Sequence, residues 1–183
     1  MYVPFPSGRL VLAGAVALAA ATPTSAEARG WETAGDIGRN VLIGAALGIP
    51  VIKGDWQGGL QAGGSILLGS GVTYGLKRII PSERPDGSDS RSFPSGHATT
   101  AFAAAATLDN RYGWKVGIPA FAVATFVGAS RVAARKHRWY DVVAGAAIGT
   151  GSGLLITSKR NSAVRLLPFG DSKGGGVAFA MRF

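Results

Sequence analysis

The sequence predicts an all-α protein, a bundle of about five core helices preceded by an N-terminal signal or transmembrane segment. Three observations carry that prediction. The chain of 183 residues is 47% hydrophobic and only 16% charged, which excludes a disordered chain and fits one core. Its uncharged runs are rich in Ala, Gly, Leu, Ile and Val without strict alternation, a pattern of helices rather than half-buried strands. Those runs fall at 41–52, 56–76, 98–108, 116–130 and 142–158, separated by short polar breaks and one long central loop.

Before the first run, Arg9 precedes an uncharged stretch at 10–26 that ends in Thr-Pro-Thr-Ser-Ala. One basic residue, a short apolar stretch and a small-x-small ending read as a secretory signal peptide cleaved after Ala26. The competing reading is a first transmembrane helix, because the stretch reaches the lower edge of the spanning length of about 17–25 residues. Either reading carries the following segment out of the cytoplasm. The domain assignment is therefore 1–26 as signal or first span, 27–167 as the helical-bundle domain and 168–183 as a Gly-rich flexible tail. Within that tail, from Val177 to Phe183, the larger apolar residues fall at every second position, which is a strand period.

Run 56–76 is the one that clearly reaches about twenty uncharged residues. The four Trp residues, 31, 56, 114 and 139, sit at or just outside run ends, as an interfacial aromatic belt requires. Lys and Arg divide almost evenly between alternate loops, so the positive-inside rule does not orient the chain. The expected setting is a bacterial envelope membrane with the polar clusters facing the periplasm, a soluble periplasmic protein being the alternative.

Charge and cysteine content narrow the chemistry. With 19 Lys+Arg against 10 Asp+Glu the net charge is +9, yet the basic residues frame apolar helices instead of interleaving with aromatics. That distribution suits anionic lipid head groups or phosphorylated substrates and argues against nucleic acid as a partner. Without Cys there is no thiolate nucleophile and no Cys-ligated metal site. The pattern carries no signal for oligomeric state.

Three clusters hold nearly all the residues capable of polar chemistry. In the first, Lys77 and Arg84 flank the turn-forming Pro81 and can converge on one anion, the Lys as a point charge and the Arg as a planar fork. Alone, that pair is also what basic residues snorkelling from a helix end look like. In the second, Ser95 is a good N-cap and Gly96 permits close backbone approach, so the helix start offers N–H groups to an anion. His97, in that first turn, would stand beside the anion and could donate a proton to it. In the third, His137 and Asp141 are four apart and share a helix face, which lets the carboxylate fix the imidazole tautomer and leave the other nitrogen as base or nucleophile. Arg131 closes the preceding apolar run. Helix alternation puts all three clusters at one end of the bundle, where three fixed cations and two imidazoles describe a phosphoryl site.

The segments K-x6-R-P (77–85), P-S-G-H (94–97) and S-R-x5-H-x3-D (130–141) resemble, position for position, the three signature motifs of the type 2 phosphatidic acid phosphatase superfamily. That family includes lipid phosphate phosphatases, secreted bacterial acid phosphatases and vanadium haloperoxidases. The resemblance implies a phosphatase that needs no metal or other cofactor, acting on a phosphomonoester or pyrophosphate, most simply of a lipid. It implies that His137 attacks phosphorus to give a phosphohistidine, that Asp141 orients its ring, and that His97 protonates the leaving oxygen. Lys77, Arg84 and Arg131, with Ser95 and the Gly96 N–H, would hold the phosphoryl oxygens. A broad-specificity soluble acid phosphatase and a non-catalytic lipid-phosphate-binding module are the alternatives.

Overall fold

The computed structural model describes residues 23–159, 164–171 and 174–181. The expectation of a signal or span at 1–26 falls almost entirely outside them. Five helices follow in order: α1 (Ser25–Ile52), α2 (Trp56–Ile79), α3 (Gly96–Tyr112), α4 (Trp114–Ala133) and α5 (Trp139–Ile156). The first is much longer than the run at 41–52 predicted. Its start is set by a capping box, in which the Thr24 hydroxyl accepts from Glu27 N and the Glu27 carboxylate accepts from Thr24 N. The charged stretch between them and residue 41 belongs to the same continuous helix.

Gly54 (φ +60°) and Gly113 (φ +86°) make the two tightest connections, α1 to α2 and α3 to α4, with backbone angles that side chains resist. Asp55 then caps α2 by accepting from Gly58 N at 3.1 Å. It also forms a buried ion pair with Arg111, and Tyr112 donates to the same carboxylate at 2.9 Å. Arg111 reaches on to the Ser158 carbonyl at 2.9 Å, so one polar knot ties the starts and ends of four segments at this end of the bundle.

Helix α3 lies at the centre, packed against all four others. Its Ala101, Ala103, Ala104, Ala105 and Ala106 are fully buried. Small side chains let backbones meet: a Cβ added at Gly149 of α5 would collide with the Thr99 carbonyl of α3. The large apolar residues point the other way, with Ile37, Val41, Leu67, Ile118, Val143 and Leu155 all exposed. An interior of Ala and Gly under a coat of Ile, Leu and Val suits lipid as the surrounding solvent, where no water penalises the coat.

Among the described residues α1, α4 and α5 are long and apolar enough to cross a membrane. Run 56–76, singled out by its lack of charge, is not among them, because its Gly, Gln and Ser residues dilute its hydropathy. The chain is a membrane protein by these helices. The tail also differs from the flexible end expected at 168–183. Strand β1 (Val164–Asp171) pairs antiparallel with β2 (Gly174–Met181), Val164 facing Met181 and Asp171 facing Gly174. The strand period read at Val177 onward finds its partner in β1, which begins before the tail and runs into it.

Candidate active site

The end of the bundle opposite the Asp55–Arg111 knot gathers the three clusters. Helix α2 delivers Lys77 in its last turn, α3 begins with Gly96 and His97, α4 ends near Arg131, and α5 begins close to Asp141. His137 sits in the connection between α4 and α5, with its N–H on the Arg131 carbonyl at 3.2 Å. The charges of Arg84, Lys77, Asp141 and His97 all act on the His137 ring.

The segment from α2 to α3 is folded on itself, with Ser82 N on Ser90 O at 2.9 Å and Ser92 N on Ser82 O at 2.8 Å. Lys77 Nζ donates to the carbonyls of Arg91 (2.5 Å) and Ser92 (3.1 Å), pinning that loop against α2. An ammonium has three protons, so this leaves one for an anion. Arg84 is fixed in the loop by Asp89 at 2.8 Å and donates to the Lys136 carbonyl at 3.2 Å. Its cation is thereby held beside His137. Ser95 is buried and caps α3 through Ala98 N at 3.4 Å, while its own N–H bonds the Asp141 carbonyl at 2.9 Å. The cap therefore orients the helix start and joins it to α5.

Asp141 is fully buried, and its Oδ2 accepts from Arg138 N at 2.8 Å. The expected direct bond to His137 is absent: Nδ1 and Oδ2 are 3.8 Å apart. Ser92 mediates instead, its hydroxyl donating to Asp141 Oδ2 at 2.6 Å and lying 3.4 Å from His137 Nδ1. With the hydroxyl proton committed to the carboxylate, the oxygen lone pair faces Nδ1 and favours a proton there. Nε2 then carries the lone pair. Burial, followed by the Arg84 and Lys77 charges, pushes the His137 ring down to about 3, so it is neutral near pH 7. A neutral imidazole with a free Nε2 beside two cations is a nucleophile for an anionic phosphorus centre.

Arg131 is buried, donates to the Glu32 carbonyl of α1 and forms an ion pair with Asp36 at 3.3 Å. His97 Nε2 meets two α1 side chains, Asp36 Oδ1 at 2.8 Å and Arg39 Nη1 at 2.9 Å. Ser92, Asp36 and Arg39 were not identified from the sequence. Ser92 was visible only as a neighbour of P-S-G-H, and α1 carries no motif. The one available signal was the spacing of Glu32, Asp36 and Arg39, which share a helix face at intervals of four and three.

The PAP2 superfamily model matches residues 58–165, more than half of the chain, and the chain belongs to that family. A lipid A 4'-phosphatase of Helicobacter pylori is 36% identical over 116 residues, covering 57% of this chain and 59% of its own. A lipid A 1-phosphatase of Porphyromonas gingivalis is 39% identical over 89 residues, covering 47% of this chain and 20% of its own. The chain thus spans between a fifth and three fifths of the curated relatives it matches. In fold it is similar to LpxE of Aquifex aeolicus, with TM-score 0.61, 22% identity and coverage of 73% of this chain and 86% of that one. It is also similar to a transmembrane PAP2-type phosphatidylglycerolphosphate phosphatase from Bacillus subtilis, with TM-score 0.52, 23% identity and coverage of 73% and 76%.

Proposed function

We infer that the protein is a metal-independent phosphatase that removes phosphate from a membrane lipid through a phosphohistidine on His137. The observation that carries this reading is the neutral His137, its Nδ1 turned to Ser92 and Asp141 and its ring flanked by Arg84 and Lys77. Nε2 attacks phosphorus as the bond to the leaving oxygen breaks, and His97 gives that oxygen its proton. Lys77, Arg84, Arg131 and the N–H groups at the α3 start hold the three non-bridging oxygens. Such fixed donors each contribute about 3 kcal/mol to the transition state in comparable sites. In the second half, water attacks phosphorus and passes a proton to His97 as the phosphorus–nitrogen bond breaks, which frees neutral His137 and restores the acid form of His97.

The lipid A phosphatases among the relatives favour lipid A as the substrate. The exposed apolar coat of the bundle supports a substrate drawn from the bilayer, and the signal-like leader supports a periplasm-facing site. Phosphate release from purified protein in detergent, with a chelator present throughout, tests the reading. Lipid A, phosphatidate, phosphatidylglycerophosphate and a polyprenyl pyrophosphate are the substrates to compare. Release from lipid A well above the others is expected; no release from any of them overturns the proposal.

A further inference from the structure

His97 is expected to protonate the leaving oxygen, so its proton must sit on Nε2, the nitrogen at the site. Two α1 side chains compete for that atom. Asp36 Oδ1, 2.8 Å away, is satisfied only by an N–H at Nε2. Arg39 Nη1, 2.9 Å away, is satisfied only by a lone pair there. A ring nitrogen offers one or the other, never both, and the acid form, the imidazolium, carries the N–H that Asp36 accepts. Asp36 is the better anchored of the two, because Arg131 forms an ion pair with the same oxygen at 3.3 Å. Arg39 has a second acceptor in Asn40 Oδ1, at 3.0 Å and 3.2 Å, and can do without the ring. Arg131 from α4 and His137 from the α4–α5 connection also act on the His97 ring electrostatically, and the hydrogen bonds at its Nε2 are those to Asp36 and Arg39.

We propose that Asp36 is a positioning residue for the general acid: it holds the His97 proton on Nε2 until the ester oxygen of the substrate takes its place. This rests on the phosphatase reading above. The geometry suits a temporary partner, since the Asp36 side chain is 43% exposed at the rim of α1 and can withdraw into solvent. Its oxygen bridges His97 and Arg131, two of the groups assigned to the phosphoryl ester, and so stands in for an oxygen of the substrate. When the ester oxygen replaces it, the Nε2 proton of the His97 imidazolium moves to that oxygen as the phosphorus–oxygen bond breaks, and the ring, keeping its Nδ1 proton, is left neutral. The lone pair left on Nε2 later receives the proton of the attacking water.

Only a leaving group that needs a proton should feel the loss. The test compares kcat/KM, which reports the steps through alcohol release, for dodecyl phosphate and for a dodecyl-substituted nitrophenyl phosphate. The first has a poor leaving group and the second leaves without protonation. For D36N the expected loss on dodecyl phosphate is about 30-fold or more, with at least ten times less loss on the aryl ester, following the scale of general-acid effects. H97A should show the same selectivity, and D36E should recover part of the dodecyl phosphate rate. Because the readout is a ratio, damage to folding or to Arg131 cancels from it, and D36S supplies a second neutral variant. Equal losses on both esters in D36N and D36S, or no loss on either, overturn the assignment of Asp36 while leaving the phosphatase reading intact. A wild-type protein that cleaves neither ester overturns both.

Discussion

His137 and Asp141 stand 3.8 Å apart, nitrogen to oxygen, and the hydroxyl of Ser92 fills the interval. A buried carboxylate and an imidazole at that distance gain little from each other directly. Through one hydroxyl that donates to the acid and accepts from the ring, they fix the tautomer that exposes Nε2. The second carboxylate oxygen, Asp141 Oδ1, is buried with no hydrogen-bond partner, so this acid depends heavily on the contacts at Oδ2.

Removing the mediator should therefore cost activity without removing either imidazole or acid. Ser92→Ala is expected to lower kcat about 10-fold, and Asp141→Ala about 100-fold or more, on the scale of lost base orientation. Steady-state kinetics on one lipid phosphate decides it. A Ser92→Ala enzyme with full kcat would mean that the ring is oriented by other contacts.

The neutral state of His137 has a signature in stability. An unfolded imidazole takes up a proton near pH 6.5, whereas the folded ring resists until about 3. Between those values the unfolded state binds more protons, so stability falls as pH is lowered through that window and is unaffected by this group above it. His137→Gln should flatten the dependence of Tm on pH between about 4 and 6.5 in detergent. An unchanged slope would show that the ring titrates normally.

The buried pair at the far end makes a contrasting prediction, of a stability effect separate from the chemistry. Asp55→Ala leaves Arg111 buried without its carboxylate and removes the α2 cap. A loss of about 3–5 kcal/mol is expected, the usual cost of orphaning a buried charge. Thermal unfolding measures it, with kcat per folded molecule remaining within about 2-fold because no site residue lies at this end.

Much of this was legible in the residues themselves. Lys77, Arg84, His97, Arg131, His137 and Asp141 were identifiable because each carries chemistry at a spacing that few other sequences share. The five helices were readable because their apolar runs end in charge or Pro. The start of α1 was not read, although Thr24 and Glu27 form a capping box, because charged residues interrupt the apolar run by which the helix was recognised. Ser92, Asp36 and Arg39 were illegible for a different reason. Their importance lies in which nitrogen or oxygen they touch across the bundle, and linear spacing does not encode contacts between residues about 50–60 apart in the chain. The pairing of β1 with β2 was half visible, since alternation was read in one strand but not in its partner.

Two glycines of α5 separate packing from helix propensity. Gly149→Ala must push a methyl against the Thr99 carbonyl, whereas nothing lies within 4 Å of a Cβ at Gly151. Gly149→Ala is expected to destabilise by about 1–3 kcal/mol and to lower activity by displacing α5 from α3. Gly151→Ala should be neutral or stabilising by up to about 1 kcal/mol, as Ala replaces Gly in a helix. Thermal unfolding of the two variants side by side would contradict the close α3–α5 contact if they behaved alike.

The central claim is that phosphorus becomes bonded to His137. The most direct measurement is to quench the protein in base during turnover of a radiolabelled lipid phosphate, then locate the label by peptide mapping. The account predicts an acid-labile, base-stable phosphohistidine at residue 137, absent from His137→Gln, which should release no phosphate. Label on another residue, or phosphate release by His137→Gln at the wild-type rate, would contradict it.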